Sequence, residues 1–478
     1  MLALIPIFVL ILLISLSVGI FGNDTLSGAS QVALLVASAV CVIIGLKTKR
    51  LTWPNLETIL KKNVGSSTIA IIILMLIGAL SSTWMLSGVV PTMIYYGMKI
   101  IKPEWFLISA CVLCALVSLM TGSSWTTVAT MGIALMGIGK AYGFADGWIA
   151  GAIISGAYFG DKLSPLSDTT VLASSITDTP LFTHIRYMMQ TTIPTFIITL
   201  IIFIVAGFCI TSYNEDTAMF TDALKGTFRI SPWLLLVPVA TGVMIVRKWH
   251  TLAVLFIASL IGAVVAMFAQ TDIIPQVVQG EHKYLITHYL EGIVRMVYDR
   301  TTVTTGVETL DNLVGTRGMI GMLPTIWLII CAQTFGAAFT ASGLLQDITN
   351  YLLKLIKGRT SLVATTVGTS MLLNMLTPDQ YLSIILTGQT YKDIYKKKGY
   401  ESRLLSRSTE DGGTVTSVLV PWNTCGLTQS TVLGVATLTY LPYCFFNILS
   451  PITSIAVAAI GKGIVRKKPE EIEAESAS

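Results

Sequence analysis

The sequence predicts an all-α polytopic membrane protein: two inverted-topology repeats with re-entrant hairpins and broken helices, and about 10–12 transmembrane helices. Three observations lead there. Of 478 residues, 53% are hydrophobic and only 12% charged, against roughly 25% charged in an ordinary soluble domain. Polar, Gly/Pro/Ser-rich runs interrupt the apolar stretches. The polar signatures of the first half also recur in the second at a shared offset.

Apolar stretches fall near 2–21, 30–46, 66–86, 105–120, 147–158, 169–177, 190–211, 232–246, 251–269, 319–341, 361–376, 381–390, 413–422 and 431–461. Several approach the roughly 20 residues that cross a bilayer, and the shorter ones read as half-helices or re-entrant hairpins. Met1–Phe21 has no basic leader, and the Gly22-Asn-Asp-Thr-Leu that follows lacks a small-residue cleavage pattern, so this run counts as the first span. The expected organisation is 1–63, N-terminal spans and a cytoplasmic amphipathic connector; 64–212, repeat one; 213–318, connecting spans and an external linker; 319–462, repeat two; and 463–478, a charged cytoplasmic tail.

Basic residues sit beside span ends: Lys47, Lys49 and Arg50; Lys61 and Lys62; Arg247 and Lys248; Lys396–Lys398; Arg466–Lys468. They mark cytoplasmic loops and place both termini in the cytoplasm, so the formal charge of +5 signals a lipid bilayer as partner and no nucleic acid. The segment Thr271–Gly318 has four Lys/Arg against six Asp/Glu, which suits the opposite side. Its apolar spacing from Tyr284 to Val297 predicts an amphipathic surface helix. All seven cysteines lie in or beside apolar segments; Cys111-x-x-Cys114 has no second pair or His cluster with it and reads as packing.

At an offset of 255 or 256, Ser87-Gly88 meets Ser342-Gly343, Lys99-x-Ile-Lys102 meets Lys354-x-Ile-Lys357, Thr121 meets Thr377, and Pro165-x-x-Asp168-Thr169 meets Pro421-x-Asn423-Thr424. The span at 66–86 starts beside cytoplasmic Lys61 and Lys62, whereas its counterpart at 319–341 follows the external linker. The halves therefore enter from opposite sides, an arrangement characteristic of secondary transporters, with the site at the repeat interface.

Four polar breaks result. Thr121–Thr127 and Thr377–Tyr381 read as hairpin tips; Gly160–Thr170 and Glu410–Thr424 read as unwound stretches of crossing helices. Carboxylates at bilayer depth cost about 2.5–3.5 kcal/mol on insertion scales and usually mark an ion or proton path. Asp161 is the leading candidate: a carboxylate there can hold a proton or a cation, and competition between them is what exchange requires. Lys162 beside it either neutralises Asp161 or snorkels from a helix end. Asp168 is either a cation ligand, with Ser164, Ser167 and Thr169 beside it, or a helix N-cap. Asp161 and Asp168 are thus the expected Na⁺ ligands.

Glu410 and Asp411 form a second acidic site, since adjacent buried charges repel and suit proton binding; the alternative is a cytoplasmic pair bridged to Arg403 or Arg407. Asp379 at the second tip reads as a ligand or a turn residue. Hydroxyls, amides and freed backbone carbonyls from Thr121, Ser123, Ser124, Thr377, Gln380, Asn423 and Thr424 complete the expected substrate-binding set. His184, beside Arg186, is expected at the cytoplasmic interface. Trp84, Trp125 and Trp422 read as packing.

The residues Gly160-Asp-Lys-Leu-Ser-Pro-Leu-Ser-Asp-Thr-Thr170, with Glu410-Asp411 and Pro421-Trp-Asn-Thr-Cys-Gly426, closely resemble the NhaC family of bacterial sodium/proton antiporters. The resemblance spans nearly the whole chain. It implies a bacterial inner-membrane location, transport of Na⁺ and H⁺ by ion gradients without ATP, no cofactor, and an architecture similar to the wider ion transporter superfamily. The family includes malate/lactate exchangers, so malate or lactate stands as alternative cargo; a homodimer is a further open expectation.

An intramembrane aspartyl protease would need Gly two residues before Gly160, where Tyr158 stands. The chain has no His-Glu-x-x-His, and Thr121-Gly-Ser-Ser-Trp125 lacks the Gly-x-Ser-x-Gly form. The expectation is therefore a transporter and no enzyme, and paired repeats with protonatable carboxylates favour alternating access over a channel.

Overall fold

A computed structural model describes residues 2–21, 28–210, 217–278, 285–306, 310–311, 314–461 and 464. The charged tail expected at 463–478 lies, apart from residue 464, outside the described residues, as does Tyr284 of the linker helix. Helices carry most of the described backbone, and an isolated antiparallel bridge joins Thr301 to Thr316.

The chain opens with α1 (Leu4–Phe21) and α2 (Ala29–Lys47), which pack together. Leu4, Phe8, Leu12, Leu16 and Ile20 of α1 stay exposed, as the lipid-facing side of a span requires. Amphipathic α3 (Trp53–Ser66) leads into α4 (Thr68–Leu86), and Gly88, at φ +79°, turns the chain into α5 (Val89–Ile100). Next comes a hairpin of α6 (Phe106–Thr121) and a returning arm made of α7 (Ser124–Thr127), a π turn at Val128–Gly132 and α8 (Ile133–Ala141). A broken helix, α9 (Asp146–Leu163) and α10 (Asp168–Ile176), and the long α11 (Leu181–Ile210) follow.

The connecting region contains α12 (Thr217–Thr227), α13 (Leu236–Val246), α14 (Thr251–Ala269), α15 (Ile274–Val277) and α16 (Leu285–Tyr298). The last is the amphipathic linker helix that the sequence predicts, lying against α4 and α14. The second repeat runs through α17 (Leu323–Ala341), α18 (Leu344–Leu353), a hairpin of α19 (Arg359–Leu376) and α20 (Gln380–Lys397), and a broken helix of α21 (Ser402–Gly412) and α22 (Thr424–Leu433). It ends in α23 (Thr437–Tyr440) and α24 (Phe445–Ile460).

The repeat is visible in backbone conformation. Gly343, at φ +72°, precedes α18 as Gly88 precedes α5, and left-handed backbone of this kind favours glycine over any side chain. Hairpin matches hairpin, and broken helix matches broken helix. Among the described residues seven helices are long and apolar enough to cross a membrane, or up to nine if two bent pairs each count as one span. The sequence expectation of about 10–12 is larger because the broken and hairpin helices α9, α10 and α19–α22 fail that test, being interrupted or polar where the site lies.

One contact fixes the site's position. A Cβ on Gly156 would lie 2.0 Å from the Cys111 carbonyl oxygen, and one on Gly160 2.2 Å from that of Ala115. Glycine lets the backbones of α6 and α9 touch, which carries Asp161 against the tip of the first hairpin. Cys111 and Cys114 are buried in this seam.

Candidate cation site and the buried charge network

All four polar breaks end in a capped helix N-terminus. Ser123 accepts from Thr126 N, Ser167 from Thr170 N, Asp379 from Leu382 N and Asn423 from Cys425 N. Such ends carry partial positive charge and stabilise nearby carboxylates. Asp168 is therefore not the cap of α10; Ser167 is, and Asp168 is the exposed first residue of the helix.

A cavity of about 480 Å³ gathers both hairpin tips and both broken helices. Asp161, Asp168 and Asp379 line it with Thr121, Ser123, Thr126, Ser167, Thr169, Gln380, Tyr381 and Thr424, and no Lys or Arg is among the lining residues. Ser124 stands behind Asp161: its backbone N and Oγ donate to Asp161 Oδ2 at 3.1 and 2.7 Å. The expected pair Asp161 and Asp168 thus shares one cavity, joined by Asp379 from the other repeat. Among the described residues no three His, Cys, Asp or Glu side chains cluster as a resident metal centre. A transported alkali cation is held differently, by one or two carboxylates with hydroxyl and carbonyl oxygens.

Besides Ser124, five expected residues lie outside that lining. Ser164 accepts from Leu166 N, and Thr377 Oγ1 donates to Leu373 O, so both hydroxyls serve local backbone. Asn423 caps α22 and donates to Asn374 O at 3.0 Å. Glu410 is fully buried one hydrogen bond away, accepting from Thr169 Oγ1 at 3.3 Å, while Thr169 Oγ1 also meets Ser167 Oγ at 3.0 Å.

Asp411 belongs to a separate network. Lys162 donates to its Oδ1 and to Ser450 Oγ (3.2 Å), and Thr191 Oγ1 donates to its Oδ2 at 3.2 Å. Arg407 Nε lies 3.9 Å from the same oxygen, and its guanidinium sits 4.9 Å over the Tyr187 ring. Lys162, Arg407, Glu410 and Asp411 are all 0% exposed. Two expectations are corrected here. Lys162 neither neutralises Asp161 nor snorkels, because its amine is engaged by Asp411. His184 is fully buried instead of interfacial, with Nδ1 2.5 Å from Ser406 Oγ. Of the two readings of Glu410 and Asp411, the pair is buried and not at the cytoplasmic face, although Asp411 does meet Arg407.

Sequence reasoning missed Thr126, Tyr381 and Thr251 in the cavity and Thr191 and Ser450 in the network. Thr191-Thr192, hydroxyls inside a long apolar run, was the one visible signal. The base-free cavity can hold a cation on Asp161, while the network behind it neutralises its own charge.

Residues 156–462 match the Na⁺/H⁺ antiporter family. The chain is 36% identical to the Na⁺/H⁺ antiporter NhaC of Alkalihalophilus pseudofirmus over 92% of each chain. It is 35% identical to the malate-2H⁺/Na⁺-lactate antiporter of Bacillus subtilis over 93% of this chain and 92% of that one. It is 33% identical to the arginine/ornithine antiporter ArcD of Halobacterium salinarum over 99% of this chain and 95% of that one. The matched segment takes in the breaks of both broken helices and the whole second hairpin, and with them the cavity's three carboxylates: the chain belongs to the Na⁺/H⁺ antiporter (NhaC) family.

Proposed function

We propose that this chain is a secondary active transporter that exchanges Na⁺ for H⁺ by alternating access. The observation that carries this is the base-free cavity in which Asp161, Asp168 and Asp379 from two repeats face each other across hairpin tips. Na⁺ binds Asp161 together with Asp168 or Asp379 and neighbouring hydroxyl oxygens; protons displace it. Rocking of one repeat against the other opens the site to either side. The protein works in a bacterial inner membrane with both termini in the cytoplasm, a placement supported by the basic clusters beside its span ends.

Relatives of nearly equal identity are named for different cargo, which gives a second reading: Na⁺ and H⁺ coupled to exchange of small organic acids such as malate and lactate. Proton flux in proteoliposomes separates the two. Sodium-driven proton movement without organic acid supports simple exchange; movement only with malate or lactate present makes the carboxylate the cargo. No sodium-dependent flux under either condition overturns both.

A further inference from the structure

A second cavity, of about 320 Å³, lies on the same repeat interface with the opposite electrostatic character. Its lining includes Lys140 and Arg317, the hydroxyl residues Ser81, Thr316 and Thr431, and no acidic side chain. The two cavities share three walls. Residues 69–73 of α4 line the acidic cavity and residues 77–85 the basic one; the first hairpin contributes its tip to one and Lys140, at the end of α8, to the other. On α22 and its C-terminal cap, Thr424 faces the acidic cavity and Thr431–Gly434 the basic one, a separation of about 10–15 Å at 1.5 Å per residue. Along each of these elements the basic cavity follows the acidic one, and it lies at the end where the linker joins α17, which the charge distribution assigns to the outside.

A cation entering from that end would meet two positive side chains first. Lys140 is shared with Asp146 at 3.3 Å, whereas Arg317 makes no ion pair within the described residues. Ser81 Oγ donates to Gly78 O, and the Thr316 and Thr431 hydroxyls are paired with Ser82, Thr301 and Thr325, so the solvent-exposed guanidinium of Arg317 is the chamber's main donor, and arginine can give a carboxylate two parallel hydrogen bonds. Rings of Lys and Arg select anions in pores by the same field. We infer that this chamber is an anion-receiving site that admits a small carboxylate from the outer side, with Arg317 as its principal ligand and Lys140 as its second. The inference rests on the organic-acid reading of the cargo and assigns that cargo an entry site.

The test uses purified full-length protein in detergent, with radiolabelled malate as probe, and wild type, Arg317→Gln and Lys140→Gln compared. Wild type is expected to bind malate, Arg317→Gln to weaken binding at least tenfold and Lys140→Gln less. Equal malate affinity in all three, or no binding by wild type, overturns the proposal. A lipid phosphate is the other source of a negative group: phosphatidylglycerol that displaces malate at low mole fraction, and binds Arg317→Gln as weakly as malate does, makes the chamber a lipid site and also overturns it. Sodium-driven proton flux in the same variants keeps the two readings apart. Flux without malate binding leaves simple exchange standing and removes this site; malate binding lost in Arg317→Gln with no malate-free flux supports the site and removes simple exchange.

Discussion

Lys162 of the first broken helix donates to Asp411 of the second, across 249 sequence positions and with neither side chain exposed. The bond ties α9 to α21 directly behind Asp161, so the only lysine adjacent to the proposed Na⁺ ligand is withdrawn from it. Removing one member of a buried ion pair leaves an uncompensated charge and costs about 3–5 kcal/mol, while replacing both by apolar groups is often neutral. Lys162→Met is therefore expected to lose about that much stability, and Lys162→Met with Asp411→Leu to regain part of it, the rest being withheld because buried Arg407 loses the carboxylate 3.9 Å away. Thermal unfolding in detergent micelles checks this; a double variant no more stable than the single one would show that the two charges are not coupled.

Asp161→Asn is expected to abolish Na⁺-dependent proton flux while the protein still inserts and folds, because the amide keeps the shape of the carboxylate and loses its charge. Ser124→Ala removes the 2.7 Å hydroxyl donor and leaves the backbone donor in place. Hydrogen bonds to charged groups contribute about 1.5–3 kcal/mol, so apparent Na⁺ affinity in Ser124→Ala should change by about tenfold or more. Flux at the wild-type rate in Asp161→Asn removes Asp161 from the site.

Asp379 both caps α20 and lines the acidic cavity, and two substitutions separate these roles. Asparagine caps a helix about as well as aspartate, whereas alanine costs about 1 kcal/mol. Asp379→Asn should thus keep the wild-type melting temperature and bind Na⁺ more weakly, and Asp379→Ala should lose both. Wild-type Na⁺ affinity in Asp379→Asn would leave Asp379 as a cap alone.

The sequence made the polar breaks, and the carboxylates that line the cavity, legible because each is local: Gly-Asp-Lys-Leu-Ser-Pro in an apolar run has few physical interpretations. Ser87-Gly88 and Ser342-Gly343 were legible as a match between the halves, whereas the turn that Gly88 and Gly343 share is given by their left-handed backbone. The partner of Lys162 was not legible, since nothing near it in the chain names a residue 249 positions away. Of the two readings of Asp168, ligand or cap, the sequence did not show that the cap would fall one position earlier, because Ser167 and Asp168 are both capable caps and only the backbone decides. His184 read as interfacial from its neighbour Arg186, yet a single helical residue can face the core while the one two positions on does not.

The seam between α6 and α9 gives the most direct test of how packing positions the site. Gly156 approaches the Cys111 carbonyl so closely that an added Cβ would stand 2.0 Å from it, and backbone atoms cannot swing aside as a side chain can. Overpacking of this kind costs about 1–3 kcal/mol. It also has a functional consequence: Asp161 lies further along the same helix, and the bonds from Ser124 span only 2.7 and 3.1 Å, so parting the helices lengthens both. Gly156→Ala should lower both melting temperature and Na⁺ affinity. Gly368→Ala is the control, because a Cβ there meets nothing within 4 Å and alanine favours a helix over glycine by roughly 0.5–1 kcal/mol; it should melt no lower than wild type and exchange normally. If Gly156→Ala behaves like Gly368→Ala, the seam yields without strain and does not set the distance between Asp161 and Ser124.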